Sequence, residues 1–142
     1  MVFEEKRAWV RMVAAVAAYV VYVVIILDRA QGRSLASVPY ARTLLISIVA
    51  SMVASMVAEM AWNVGIPLKS RVRDIRDKEI RRLGDYIGQS FVILGAGCAM
   101  LMAMAEWNWF WIANVIYLCF VLSALVSGVA KVILYRRSLP QW

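Results

Sequence analysis

The segment TLLISIVASMVASMVAEMAWN, Thr43 to Asn63, is almost continuously apolar, and Glu59 is its only ionisable residue. Its length matches the roughly 20 residues that an α-helix needs to cross about 30 Å of hydrocarbon. Apolar and polar residues do not alternate along it, as they would in a strand of a membrane barrel. We therefore interpret residues 43–63 as a transmembrane helix.

Three further runs of the same kind lie at 8–27, 86–105 and 110–134. The chain has 142 residues, of which 63% are hydrophobic, whereas a soluble globular domain has roughly 45–50%. The first run is longer than the roughly 7 to 15 apolar residues of a signal peptide, so we expect it to stay in the mature protein. The sequence predicts an all-α integral membrane protein, with residues 1–142 forming one domain of four transmembrane helices.

A densely charged stretch, RVRDIRDKEIRRLGDY, separates the second and third runs and covers Arg71 to Tyr86. Asp74 precedes Lys78 by four residues, and an acid placed before a base at this spacing stabilises a helix. The apolar residues of the stretch gather on one side of such a helix. The sequence predicts a charged amphipathic helix over 69–85, lying in the cytoplasm beside the membrane.

This predicted helix is a candidate surface for anionic lipid headgroups or for a cytoplasmic partner. The candidate residues of this surface are Arg71, Arg73, Asp74, Arg76, Asp77, Lys78, Glu79, Arg81 and Arg82. The basic residues among them repel a divalent cation, so we expect no metal there. The chain carries a net charge of +7, but in so apolar a protein we expect lipid headgroups, and no nucleic acid, as the partner of these cations. Histidine is absent from the sequence, and we expect no cofactor.

The basic residues also predict the orientation of the chain. Thirteen of the sixteen Lys and Arg residues lie before or in the first turn of the first span, between the second and third, or at the end of the fourth. The opposite side holds only Arg29, Arg33 and Arg42. By the positive-inside rule, both termini and the charged stretch are expected in the cytoplasm, and the protein in the cell membrane.

Glu59 is the candidate for a site within the membrane, because an ionisable residue in a span often has a function. Arg11 and Lys131 lie at a similar depth in the first and fourth spans. One hypothesis is that Glu59 pairs with either cation and fixes the packing of the helices. The other is that Glu59 is a proton or cation site.

Small residues recur at helical spacing in the second and third spans. Ser47, Ser51 and Ser55 share one side of the second span, and Gly95 and Ala99 repeat the pattern in the third. Small residues at this spacing allow two helix backbones to approach closely. The pattern predicts a tight contact between the second and third helices.

The segment RDIRDKEIRRLGDYIGQSF, Arg73 to Phe91, resembles the Asp-Glu-Arg-Asp-x-Glu-Ile signature of a family of small, four-helix bacterial membrane proteins of unknown function. In that family the signature precedes the third transmembrane helix. The resemblance extends through WIANVIYLCFVLSALVSGVAKVILYRR and covers about Arg71 to Arg137, although Ile75 stands where the family usually has an acid. It implies the fold, the topology and the bacterial inner membrane, and it transfers no catalytic residue.

Two classes of function are compatible with these patterns. Because no catalytic constellation is visible, we expect a non-enzymatic accessory, immunity-type or stress-response factor that acts through helix contacts with a membrane partner or a second copy. The alternative is a small proton-coupled transporter centred on Glu59, acting as a homodimer because four short helices enclose little space. Whether Glu59 contacts a cation or faces a wet cavity distinguishes the two.

Overall fold

The computed structural model describes the backbone of residues 3–64 and 75–136, and these residues form four long α-helices. The helices are α1 (Phe3–Ala30), α2 (Ala41–Val64), α3 (Ile75–Met104) and α4 (Trp109–Arg136), and a short 3-10 helix (Leu35–Ser37) lies between α1 and α2. Each of the four is long and apolar enough to cross a membrane. The predicted all-helical, four-helix architecture is therefore confirmed.

Short segments with turn-forming residues separate paired helices. After α1, Gln31 and Gly32 have positive φ angles of 43° and 80°, a backbone conformation that glycine adopts without strain. Before α4, the side-chain oxygen of Asn108 accepts a hydrogen bond of 2.9 Å from the backbone N–H of Phe110. This contact caps the start of α4. Two hairpins result, one of α1 with α2 and one of α3 with α4.

The charged stretch before the third span belongs in part to α3 itself. This helix begins at Ile75 and continues without a break to Met104, so residues 75–85 are its first turns. Asp77, Lys78, Glu79, Arg81 and Arg82 lie on these turns, as does the backbone of Arg76. The candidate residues Arg71, Arg73 and Asp74 lie outside the described residues, as does Lys69.

The helices pack in the order α2, α1, α4, α3. One side of α1 packs against α2 and another against α4, while α3 packs along α4. Over the described parts of the two helices, α2 and α3 make no extended contact. The predicted packing of the second helix on the third is therefore wrong, and each of these helices has a central helix as its neighbour instead.

The seam between α3 and α4 depends on glycines. A Cβ atom at Gly88 would lie 2.8 Å from the backbone oxygen of Ser123, and one at Gly95 would collide with the side chain of Cys119. Ala99, one turn beyond Gly95, is buried. Gly95 thus has the close-packing role that its spacing indicates, but its partner is α4.

The serines of α2 face α1. The Ser47 hydroxyl donates a hydrogen bond of 2.9 Å to the backbone oxygen of Ala18. Ser51 and Ser55 follow at four-residue intervals, are half-buried, and are joined by a hydrogen bond of 2.8 Å from the Ser55 hydroxyl to the Ser51 carbonyl. Met56 lies on the other side of α2 with 71% of its surface exposed. The small residues therefore mark the contact face correctly, although the partner helix is α1.

The hydrophobic core lies along the seam of α1 and α4. The rings of Tyr22 and Tyr117 meet edge to face with their centroids 5.3 Å apart, an arrangement that aromatic pairs prefer. Other buried members of this core are Ile26, Ala30, Val38, Phe110 and Val121. The core thus occupies the half of the bundle that contains the end of α1 and the start of α4. We call this half the tryptophan end, because Trp107, Trp109 and Trp111 lie there, and the opposite half the charged end.

Candidate functional site

Ion pairs join neighbouring helices at the charged end. In the packing order of the helices, the pairs are Glu59 with Arg11, Glu5 with Arg136, and Lys131 with Asp85. The first links α2 to α1, the second α1 to α4, and the third α4 to α3. Among the described residues, each helix seam therefore has at least one ion pair at the same end of the bundle.

Glu59 and Arg11 are brought together as one of the two sequence hypotheses expects. The Nε and Nη2 atoms of the Arg11 guanidinium both contact Oε1 of Glu59. The Arg11 side chain is 41% exposed and that of Glu59 28%. The carboxylate of Glu59 is thus in direct contact with a cation on the adjacent helix.

Lys131, the third candidate, does not join them. Its Nζ atom donates a hydrogen bond of 2.6 Å to Oδ1 of Asp85 on α3, and its side chain is only 11% exposed. The aliphatic part of Lys131 lies across Gly84, where a Cβ atom would come within 2.9 Å of the lysine Cε. Glu59, Arg11 and Lys131 therefore belong to two separate ion pairs.

Asp85 is a further residue of the charged end, and the sequence patterns did not single it out. It accepts hydrogen bonds from Lys131 and, at 3.3 Å, from the Ser127 hydroxyl, and its second oxygen lies 3.9 Å from Nε of Arg81. A signal was available, because Asp85 directly precedes the third span and lies four residues after Arg81.

A cleft of about 480 Å³ opens at the charged end between α1, α3 and α4. Its charged lining residues are Arg7, Arg11, Arg81, Lys131 and Asp85. The lining becomes apolar toward the middle of the bundle. Glu59 is not among the lining residues, so the cleft and the candidate carboxylate are distinct, although Arg11 touches both.

Only some of the candidate charged residues on α3 line this cleft. Lys78, Glu79 and Arg82 are exposed and do not line it, whereas Arg81 does. Ile80 is almost fully buried, at 1% exposure, and it fixes which side of α3 turns inward. The outward charges therefore lie on the side of α3 away from the bundle.

A second polar group lies within the core of the tryptophan end, and the sequence patterns did not indicate it. The hydroxyl groups of Tyr117 and Ser47 lie 2.7 Å apart, and the Tyr22 hydroxyl donates a hydrogen bond of 2.9 Å to the side-chain oxygen of Asn114. These contacts connect α1, α2 and α4. The hydroxyl groups of Tyr22 and Tyr117 each have a hydrogen-bond partner, so we interpret the group as a structural contact between helices.

Comparisons with known proteins supply no relative. No family model, curated protein or solved structure matches the chain. The resemblance of residues 71–137 to small four-helix bacterial membrane proteins therefore stays a prediction. Within residues 3–64 and 75–136, no three His, Cys, Asp or Glu side chains are grouped closely enough to hold a metal ion.

Proposed function

We propose that the chain is a multi-pass protein of the cell membrane with both termini and the charged end in the cytoplasm. The four helices have the length and composition of membrane spans. Thirteen of the sixteen basic residues belong to segments on the proposed cytoplasmic side, and basic residues near spans are retained there. The tryptophans of the opposite end suit the outer interface, where their amphipathic rings are favoured.

Cysteine labelling tests this orientation. In a chain whose Cys98 and Cys119 have been replaced by alanine, Ser34→Cys is expected to react with a membrane-impermeant maleimide on intact cells. Ser70→Cys is expected to react only after the cells are permeabilised. The reverse pattern would overturn the orientation, and labelling of both positions on intact cells would contradict the four-span topology.

We further propose that the protein is not an enzyme and acts through helix contacts, as an accessory, immunity-type or stress-response factor. The direct contact of the Glu59 carboxylate with the Arg11 guanidinium carries this proposal. This contact supports a structural role for Glu59, the one acid of the α2 span, in joining helices. A carboxylate that carries protons must instead be able to separate from its counter-ion. The same contact makes a proton-coupled transporter centred on Glu59 the less favoured alternative.

The outer helices provide the surfaces for such contacts. No residue of α2 from Ala41 to Ala61 is buried, and Met52, Met56 and Met60 are each at least two-thirds exposed. On α3, Ile93 is 65% exposed. Methionine-rich surfaces adapt easily to different partners. A helix of another membrane protein, or of a second copy of this chain, is the occupant that we propose for these faces.

Photocrosslinking in living cells tests the contact proposal. With p-benzoylphenylalanine at Met56 or at Ile93, we expect at least one position to give a protein adduct of constant, discrete mass. The matched control is Trp109, which is 82% exposed but lies at the tryptophan end, away from both faces. The proposal fails if Met56 and Ile93 give no protein adduct, or if all three positions give the same products.

A further inference from the structure

The cleft at the charged end changes in chemical character along its length. Its lining residues on α3 are Arg81, Asp85, Gln89 and Val92, which follow one another at three- or four-residue intervals. Residues at these intervals lie one above the next on a single face of a helix. The α3 wall therefore passes from charged, through neutral polar, to apolar side chains within about three turns.

The α4 wall shows the same gradient in the opposite chain direction. Lys131 lies at the charged end, Ser127 and Ser123 follow toward the middle of the bundle, and Phe120 lies deepest. Because α3 and α4 are antiparallel, their charged lining residues lie together at the entrance and their apolar lining residues lie together at the deep end. A cavity with a cationic entrance and an apolar interior is complementary to a molecule that has an anionic head and a hydrocarbon tail.

The charges at the entrance are not balanced by the cleft itself. Asp85 is the counter-ion of two cations, because its oxygens lie 2.6 Å from Nζ of Lys131 and 3.9 Å from Nε of Arg81. Arg11 has its own counter-ion in Glu59. One negative charge therefore offsets two positive charges on the α3 and α4 side, which leaves this side complementary to one further monoanion. Such compensation has more effect here than in bulk water because the membrane and the helices lower the local dielectric constant.

We propose that the cleft binds one anionic phospholipid, with its phosphate between Arg81 and Lys131 and the start of its acyl chains along Val92 and Phe120. The volume of about 480 Å³ falls within the roughly 300–1,000 Å³ of small-molecule sites. Lys131 is held in place over Gly84, while the Arg81 side chain, 46% exposed, can turn toward the phosphate. A lipid uses both the cationic and the apolar parts of the wall, whereas free phosphate uses only the first. This inference rests on the proposal that the four helices span a bilayer.

Native mass spectrometry of the full-length protein, released from detergent micelles, provides the test. With phosphatidylglycerol we expect one tightly retained lipid. Arg81→Gln should weaken its binding about tenfold, the loss expected for one charge-assisted hydrogen bond. Arg82→Gln is the matched control, because Arg82 is exposed on the same helix, carries the same charge and does not line the cleft. Its affinity should stay within about twofold of wild type.

Several results would overturn the inference. Equal retention of phosphatidylcholine would mean that net headgroup charge does not matter, and equal weakening by Arg81→Gln and Arg82→Gln would indicate unspecific attraction. Displacement of the lipid by excess inorganic phosphate would identify free phosphate as the ligand. These results leave the cysteine labelling and the photocrosslinking unaffected, so failure of the lipid site is distinguishable from failure of the proposed topology or of the contact function.

Discussion

Replacement of Gly88 by leucine is expected to separate α3 from α4 and to destabilise the bundle by at least about 3 kcal/mol, the upper part of the range for overpacked sites. A Cβ atom at this position would lie 2.8 Å both from the backbone oxygen of Ser123 and from Cβ of Ser127. A helix backbone cannot move aside as a flexible side chain can, so the helices must part. Thermal unfolding in detergent, followed by circular dichroism, measures the loss.

Gly97 is the matched control for this experiment. It lies on the same helix, but a Cβ atom there would have no neighbour within 4 Å. Gly97→Leu is expected to change the stability by no more than about 0.5 kcal/mol, since the new side chain projects into open space. Equal tolerance of leucine at Gly88 and Gly97 would refute the close approach of α3 and α4.

Glu59→Gln is expected to destabilise the bundle by about 1–3 kcal/mol, less than the 3–5 kcal/mol lost when a fully buried pair is broken, because both side chains are partly exposed. The loss arises because Arg11 keeps its charge and loses the carboxylate that balances it. The double variant Glu59→Gln, Arg11→Gln should recover part of the loss. A coupling free energy of about 1 kcal/mol or more, from thermal unfolding of wild type, both single variants and the double variant, would establish the pair.

Lys131 provides the internal comparison for this cycle. Because Lys131 pairs with Asp85, the variants Glu59→Gln and Lys131→Gln should be additive within about 0.5 kcal/mol. In contrast, Lys131→Gln and Asp85→Asn should show strong coupling. If Glu59→Gln were as stable as wild type, or more stable, the ion pair would have no structural role and the transporter alternative would take first place.

The four spans could be predicted because they depend on composition and length alone. An almost continuously apolar run such as 43–63 needs no tertiary information to be recognised as a helix that can cross a membrane. The contact face of α2 was also predictable, since the four-residue spacing of Ser47, Ser51 and Ser55 defines one side of any helix. Local spacing therefore identified both the helices and one of their packing surfaces.

The partners of these surfaces could not be predicted in the same way. A row of small residues indicates which side of a helix packs closely, but it does not indicate which other helix packs against that side. Likewise, Arg11 and Lys131 lie at similar depths, and depth alone does not choose between them as the counter-ion of Glu59. The order α2, α1, α4, α3 makes that choice, because it places α1 beside α2 and α4 beside α3.

This packing order also determines which contacts need the whole chain before they can form. The hairpins α1–α2 and α3–α4 each join helices that leave the ribosome in succession, whereas the hydrogen bond from Tyr22 to Asn114 joins residues 92 positions apart. Until α4 has been synthesised, Tyr22 and Glu5 on α1 are without the partners that they have in the folded chain. The contacts within each hairpin can therefore form before the contacts that join α1 to α4.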